Sequence, residues 1–518
     1  MPPLSPESAA SAATPGGGII DGESSQSLPV VIAGGGVAGL VLALSLHSRL
    51  GIVPAVYEQA SGFVDGVGGA VGMYANGLRV VRDVDDDGKV LGKLRDAGYE
   101  YLWRRWYDHE GNEVCKAEER HLVGDNEDES GGDGEEEKEL YSIGIRRWKL
   151  QRILYDACLE RGIPIHFRRR VETVKELNDS AVEITFTNSD ETVRTSLLFG
   201  CDGVNSNVRK YVLGAKASLE QQPEYTGVTC LMGASPVPSP VRGICFPSSN
   251  TTKCHMCTYP TGPNETIFQM YFPTPVENPE AWGALGEEGG RRERDELAAK
   301  MREHGWCERF VNTVAEADPS SVVRVGLRAR EPLSRWVRGN VVLLGDAAHP
   351  PVPYIGQGAM MAVEDAGVLA LLLQKMCCSP SSDGSGQGKS PIANFDLKSL
   401  PAALNLYQTL RIPRTASVLG KSKSLGKTQQ DRAESRPYEV WRGLSMKVQV
   451  AWHGTLPVLK AGPHYDYRRG VEEGLKAMQQ VGEEGEEEAD CRGLVLGCMG
   501  TKAPIENKDA LDTVAASA

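Results

Sequence analysis

Three glycines, Gly34, Gly36 and Gly39, stand in the order GxGxxG between an apolar run, LPVVIA, and a helical run that opens at Val37. This spacing suits a backbone that must turn sharply and then meet a phosphate. Gly34 permits the tight turn, Gly36 lets the main chain approach a pyrophosphate, and Gly39 lets the helix pack on the strand. The N-terminus of that helix faces the phosphate with free N–H groups and a positive dipole end. Glu58 ends the next apolar strand, IVPAVYEQ, 19 residues beyond Gly39. A carboxylate there accepts hydrogen bonds from ribose hydroxyls. A bare glycine-rich turn is the bland alternative. With strand, helix and terminal acid all in place, the segment reads as a dinucleotide site, though it does not say which dinucleotide.

A second polar site lies far along the chain. GDAAHP (Gly345–Pro350) closes the continuous apolar strand VVLLGD, and Gly356, Gln357 and Gly358 then open the helical run AMMAVEDAG. Asp346 can bind the ribityl hydroxyls of a flavin. Backbone N–H groups of Gly358, Ala359 and Met360 can face the N1–C2=O edge, where a helix N-terminus stabilises the negative charge of reduced flavin. Glu364 and Asp365 read as acids that complement this helix start, and His349 receives no acid–base role. A third motif, CDGVNSNVR, holds Asp202, Gly203, Ser206 and Arg209 after the apolar run LLFG.

The elements that must position these residues follow from periodicity. The first strand, helix and second strand make a βαβ unit of roughly 30 residues. Helical apolar spacing runs from Arg146 to Glu160, strands read at IPIHF, VETVKEL, AVEITFTN and VRTSLLFG, and a long helix starts at Gly358. Between Tyr225 and Pro273 the chain alternates in period two, with turn signals such as TGPNE, as a separate antiparallel sheet does. Tyr225, Tyr259, Gln269 and Tyr271 fall on its strands; each could orient a ring substrate or simply pack. Arg168, Arg169 and Arg170 read as a solvated strand edge, an NADPH phosphate contact being the lesser option.

Composition bounds the rest. The chain has 518 residues and a net charge of -13, which argues against nucleic acid and anionic membrane partners. Acid is concentrated at 124–139 and 482–490, runs that repel and bury nothing. No apolar run approaches the roughly 18 residues needed to span a bilayer. Residues 1–27 hold no Lys or Arg, which argues against a secretory or transit leader, and read as a head without a fold. Twelve scattered cysteines fit free thiols in a reducing, cytoplasmic setting. Cys254 and Cys257 flank His255 without a second ligand pair, so no metal is expected; Cys377 and Cys378 read as helix-end packing.

GxGxxG, then DG, then GD, in that order across Pro29–Gly367, resembles the class A flavoprotein monooxygenases, relatives of salicylate and para-hydroxybenzoate hydroxylases. RGNVVLLGDAAHPPVPYIGQGAMMAVEDA carries the likeness, especially to fungal enzymes that tailor polyketide, indole or meroterpenoid metabolites. The resemblance implies an α/β, Rossmann-like FAD-binding domain with an inserted antiparallel substrate sheet and a helical C-terminal region. The expected boundaries are 28–220 and 326–375 for the FAD domain, 221–325 for the substrate sheet, 376–480 for a loop and helices, and 481–518 for an acidic tail. It implies noncovalent FAD, NAD(P)H as co-substrate, and O2 with a small molecule as the other reactants. It assigns Glu58 to the adenosine ribose and Asp346 to the ribityl chain. Arg147 and Gln151, in IRRWKLQRIL, go near the pyrophosphate or ribityl region, and Asp202 to both FAD and NAD(P)H. Gly69 and Ala70 lie in the stretch that passes the isoalloxazine, and Pro353 in the loop beside it. Met360 stands where many relatives carry Asn, and Cys201 where they carry Ala.

The WxWxI signature of flavin halogenases is missing, as are the second GxGxxG and the FxGxxxHxxxW stretch of Baeyer–Villiger enzymes. A flavin dehydrogenase or reductase on the same scaffold, a non-catalytic flavin binder and a catabolic salicylate-type hydroxylase stay open. The residues name neither substrate, catalytic base nor oligomeric state.

Overall fold

The computed structural model describes residues 29–66, 69–119, 140–177, 180–214, 222–249, 251–279, 283–350, 355–378, 395–430, 436–453, 456 and 462–483. The expectations for residues 1–27, the two acidic runs apart from the helix end at 482–483, the loop from Ser379 and Pro353 lie outside them.

Val30–Ala33, Leu197–Gly200 and Val341–Leu343 are apolar throughout and buried at every residue, as strands covered on both faces must be. They form the middle of a six-stranded sheet ordered Val337–Arg338, Val341–Leu343, Leu197–Gly200, Val30–Ala33, Ala55–Tyr57, Ile165–His166. Every pair is parallel except the first. The helices Val37–Leu50 and Gly358–Cys377 pack against each other on this sheet. All three sequence motifs therefore leave the carboxyl ends of neighbouring parallel strands, where open α/β sheets bind ligands.

The second large sheet has eight strands: Gly283–Ala284, Val323–Ala329, Glu224–Ser235, Glu265–Pro273, His255–Gly262, Gly243–Ser248, Trp103–Asp108 and Glu113–Glu118. It is wider than periodicity suggested. Trp103–Asp108 and Glu113–Glu118, expected in the FAD domain, join it through a parallel pairing with Gly243–Ser248. Val323–Ala329 crosses the expected boundary at residue 325 and pairs with Glu224–Ser235. The helices Gly286–Glu303 and Glu308–Ala315 cover one face, with Met256, Phe268 and Phe310 in the core between. A small antiparallel sheet, Ala70–Met73, Ile143–Arg146 and Tyr99–Glu100, lies between the two halves.

C-terminal helices close the structure. Leu400–Gln430 lies against Gly358–Cys377, and Arg436–His453 against Glu113–Glu118. Glu364 and Asp365 correct their sequence reading. They sit past the first turn of Gly358–Cys377, fully buried, and do not complement its start. Arg411 donates to Asp365 Oδ1 and Glu364 Oε2 at 2.7 Å each, and Arg414 reaches Glu364 Oε1 at 2.8 Å. Arg168 lies in a bend, and Arg169 and Arg170 lead directly into the strand Val171–Glu176; Arg169 Nε donates to Glu191 at 2.6 Å. No helix among the described residues is long and apolar enough to cross a membrane.

Candidate active site

A cavity of about 960 Å³ joins the carboxyl ends of the parallel strands to the face of the eight-stranded sheet. Gly36, Arg147, Gly203, Asp346, Gly358 and Ala359 line one end, so the motif residues converge although more than 300 positions separate the first from the last. Tyr259, Gln269 and Tyr271 line the other end. Tyr225 does not. Its hydroxyl donates to the Thr274 carbonyl at 2.8 Å, at the far end of its strand.

The glycine loop is shaped by contacts a side chain would destroy. Gly34 has φ +106°, and a Cβ there would stand 2.3 Å from the Cys201 carbonyl oxygen. A Cβ on Gly39 would meet the Gly34 carbonyl at 2.0 Å. Gly36 is different, because a Cβ on it would meet nothing within 4 Å. Its main chain faces open space at a helix start that no side chain caps. Glu58 holds the loop, accepting from Gly35 N at 2.7 Å and Ala60 N at 2.8 Å. Gln151 donates to the Gly35 carbonyl at 2.9 Å.

Asp202 accepts from the N–H groups of Asn207 (2.8 Å) and Val208 (3.2 Å) through Oδ2, capping the helix Asn207–Leu213. Its Oδ1 is buried without a hydrogen-bond partner, and burial pushes the carboxyl up. Arg209 ties this motif to the next, donating to the Ala347 carbonyl at 3.0 Å. Asp346 is open to the cavity while protein surrounds it. Burial raises its pKa, and His349 and Arg147 pull the other way. Asp365 Oδ2 fixes the same turn, accepting from Gly345 N at 2.9 Å and meeting His349 Nε2 at 2.6 Å. His349 also stacks on Trp336, with ring centroids 5.0 Å apart.

Helix geometry leaves the first N–H groups of Gly358–Cys377 without partners inside the helix. The Met360 side chain is fully buried, with Sδ 3.3 Å from Tyr74 N, and fills the space beside Gly77. Arg147 N donates to the Gly69 carbonyl at 3.0 Å, which sets the edge past which Ala70 runs.

On the sheet side the polar groups form a directed chain. Tyr271 donates to Gln269 Oε1 (2.9 Å), Gln269 Nε2 to the Tyr259 hydroxyl (3.1 Å), and Tyr259 to the Ala70 carbonyl (3.0 Å). Sequence reasoning missed Tyr74, Arg104 and His255, which also line the cavity. Tyr74 follows closely on Gly69 and Ala70, which the resemblance places beside the isoalloxazine; Arg104 lies in no motif. Burial pushes the Cys257 thiol up to about 12.

FAD fits these residues on two observations. The main chain at Gly36 faces space that a pyrophosphate requires, and Asp202 Oδ1 is a buried acceptor still lacking a donor. Gly36, Glu58, Arg147, Asp202 and Asp346 would hold its polar parts, and the Gly358–Met360 main chain the edge of its ring.

Residues 27–378 match the family described as "FAD binding domain". A FAD-dependent monooxygenase of Gibberella moniliformis is 29% identical over 419 residues, covering 78% of this chain and 87% of that one. Aurachin C monooxygenase/isomerase of Stigmatella aurantiaca is 28% identical, covering 78% and 90%. Among solved structures, Klebsiella pneumoniae HpxO complexed with FAD and uric acid aligns with TM-score 0.65 at 22% identity, over 84% of this chain and 97% of that one. CtdE in complex with FAD and a substrate aligns with TM-score 0.66 at 17% identity, over 88% and 100%. Likeness at that identity speaks for the fold. The chain belongs to the class A FAD-dependent monooxygenase family; it is an oxidoreductase whose cofactor is FAD.

Proposed function

We propose that the protein holds FAD noncovalently and uses NAD(P)H and O2 to hydroxylate or epoxidise an electron-rich aromatic, indole or polyketide-type molecule in fungal secondary metabolism. In the hydroxylation, NAD(P)H and a proton supply two electrons and two hydrogens. One oxygen atom enters a C–H bond of the substrate and the other leaves as water. The observation that carries this reading is a cavity that joins the three nucleotide motifs to a ring-lined sheet. Similarity to the fungal monooxygenase supports it. The ten described cysteines, all free, support a reducing, cytoplasmic setting.

Bound FAD supplies the electron transfer and the activation of oxygen. The chain's own residues do the rest. The open N–H groups at Gly358 and Ala359 stabilise negative charge at the ring edge before them. Asp346 and Asp202 accept hydroxyl hydrogen bonds. The chain from Tyr271 to the Ala70 carbonyl orients a polar substituent of the substrate, and Pro353 belongs to the same proposal as a ring-loop residue. Tyr74, Tyr101 and Tyr259 are buried, with hydroxyl pKa values pushed up, so they stay protonated donors. Aromatic walls exclude water from the reacting atoms.

Labelled oxygen gas with mass spectrometry of the product tests this. One labelled atom per product molecule is expected. Label from water alone, or a desaturated product that gains no oxygen, would make the protein a flavin dehydrogenase on the same scaffold.

A further inference from the structure

We infer that the substrate is a neutral ring compound, and that Glu119 sets this preference by cancelling the charge of Arg104 in the cavity wall. The inference rests on the monooxygenase reading and names the substrate class of the same site.

Arg104 is the cation on the sheet side of the cavity. Its guanidinium is committed elsewhere. Nε donates to Glu119 Oε2 at 2.7 Å and Nη2 to Oε1 at 3.1 Å, a two-pronged pair. The Ser142 hydroxyl adds a bond to Oε1 at 2.5 Å. The Arg104 side chain also lies 5.2 Å over the Tyr74 ring and hydrogen-bonds that residue. The side chains of Arg104 and Glu119 are 4% and 0% exposed, so solvent does not screen the pair. Burial opposes the charge of Arg104, and Glu119 with Tyr74 more than offsets it.

The other cation in the described wall, Arg147, belongs to the cofactor end with Asp346. Among the described residues of the sheet-side wall, a carboxylate substrate would thus meet no arginine or lysine outside the Glu119 pair, and entering that desolvated space is costly. The remaining surface suits a flat neutral ring. Trp106 and Phe246 stack at 5.5 Å, and Tyr101 and Tyr259 meet edge to face at 6.3 Å. One polar substituent can be served by the Tyr271–Gln269–Tyr259 chain. Glu119 itself does not line the cavity; it acts through Arg104 as a positioning and neutralising residue.

The test compares para-hydroxybenzamide with para-hydroxybenzoate, which share a ring and differ in charge at neutral pH. Binding to the FAD-loaded protein is read as perturbation of the flavin absorbance spectrum. Wild type should bind the amide at least about tenfold more tightly, and Glu119→Gln, which frees the Arg104 charge, should shift the ratio toward the acid by about tenfold or more. Should Glu119→Gln fail to take up FAD, the double variant Arg104→Met/Glu119→Leu removes both charges and should keep the amide preference. Equal affinities in wild type, no response to either probe, or an unchanged ratio in Glu119→Gln overturns the inference, as does acid binding gained by the double variant. Oxygen uptake driven by NAD(P)H is scored separately. Amide-selective binding with no uptake for any neutral ring leaves this inference standing and removes the monooxygenase reading.

Discussion

Gly36 and Gly34 lie two positions apart and do opposite things. At Gly36 the backbone is ordinary (φ -74°, ψ -178°), and a Cβ would meet no protein atom within 4 Å. Gly36→Val should therefore fold, with stability within about 0.5 kcal/mol of wild type, and lose FAD because the added carbons fill the pyrophosphate's place. Gly34→Val should not fold, since it strains φ and collides with the Cys201 carbonyl. Circular dichroism melts and flavin content after gel filtration check both; a folded Gly36→Val with full flavin would contradict the assignment. Such residues were legible in the sequence because their chemistry is local. A turn, a phosphate and a terminal acid need fixed spacing, and fixed spacing can be read. Tyr225 was not legible in this way, because period-two alternation shows which face of a strand a residue takes but not which end lies over the site.

At the scale of elements, the helix Gly358–Cys377 and the turn Gly345–Ala347 are locked together by one carboxylate. Asp365 holds Gly345 N, His349 and Arg411. Burial alone would raise its pKa, but His349 and Arg411 outweigh it and the value lies below the ordinary one. A depressed folded pKa means stability that is present above the unfolded value, about 3.9, and lost as pH falls through the lower folded value. Asp365→Asn should cost about 3 kcal/mol near neutrality, in the range for breaking a buried pair. The difference from wild type should hold down to about pH 4 and vanish below it. Urea midpoints measured across that range test this; a difference that grows on acidification would refute it. The helix and its parallel strand were readable from apolar runs, but this lock was not. Arg411 lies 46 residues from Asp365 in a helix whose apolar pattern does not mark it as a partner. For the same reason Trp103–Asp108 escaped: its partner strand, Gly243–Ser248, enters the chain over a hundred residues later.

At the scale of the whole molecule, the family match ends at residue 378, but the site does not. Arg411 and Arg414 neutralise Glu364 and Asp365, and Leu425, Trp441 and Met446 line the cavity from the C-terminal helices. A chain stopped after residue 399 would leave two buried carboxylates without their arginines, each broken pair costing about 3 to 5 kcal/mol. It should be recovered without flavin and unfold at far lower urea than the full chain. Normal flavin content in that truncated chain would show that the C-terminal helices are dispensable.

The wall also carries sulfur. Cys201, Cys257, Met232 and Met256 all line the cavity. Burial keeps the two thiols protonated, with Cys201 well above its ordinary value and Cys257 at about 12. A protonated thiol is a poor nucleophile and slow to oxidise. Thioethers have no such protection, since their oxidation to sulfoxide does not wait on a proton. In a catalyst that handles oxygen, wear would therefore fall on Met232 and Met256. The number of turnovers before those two side chains become polar would set the working life of each molecule.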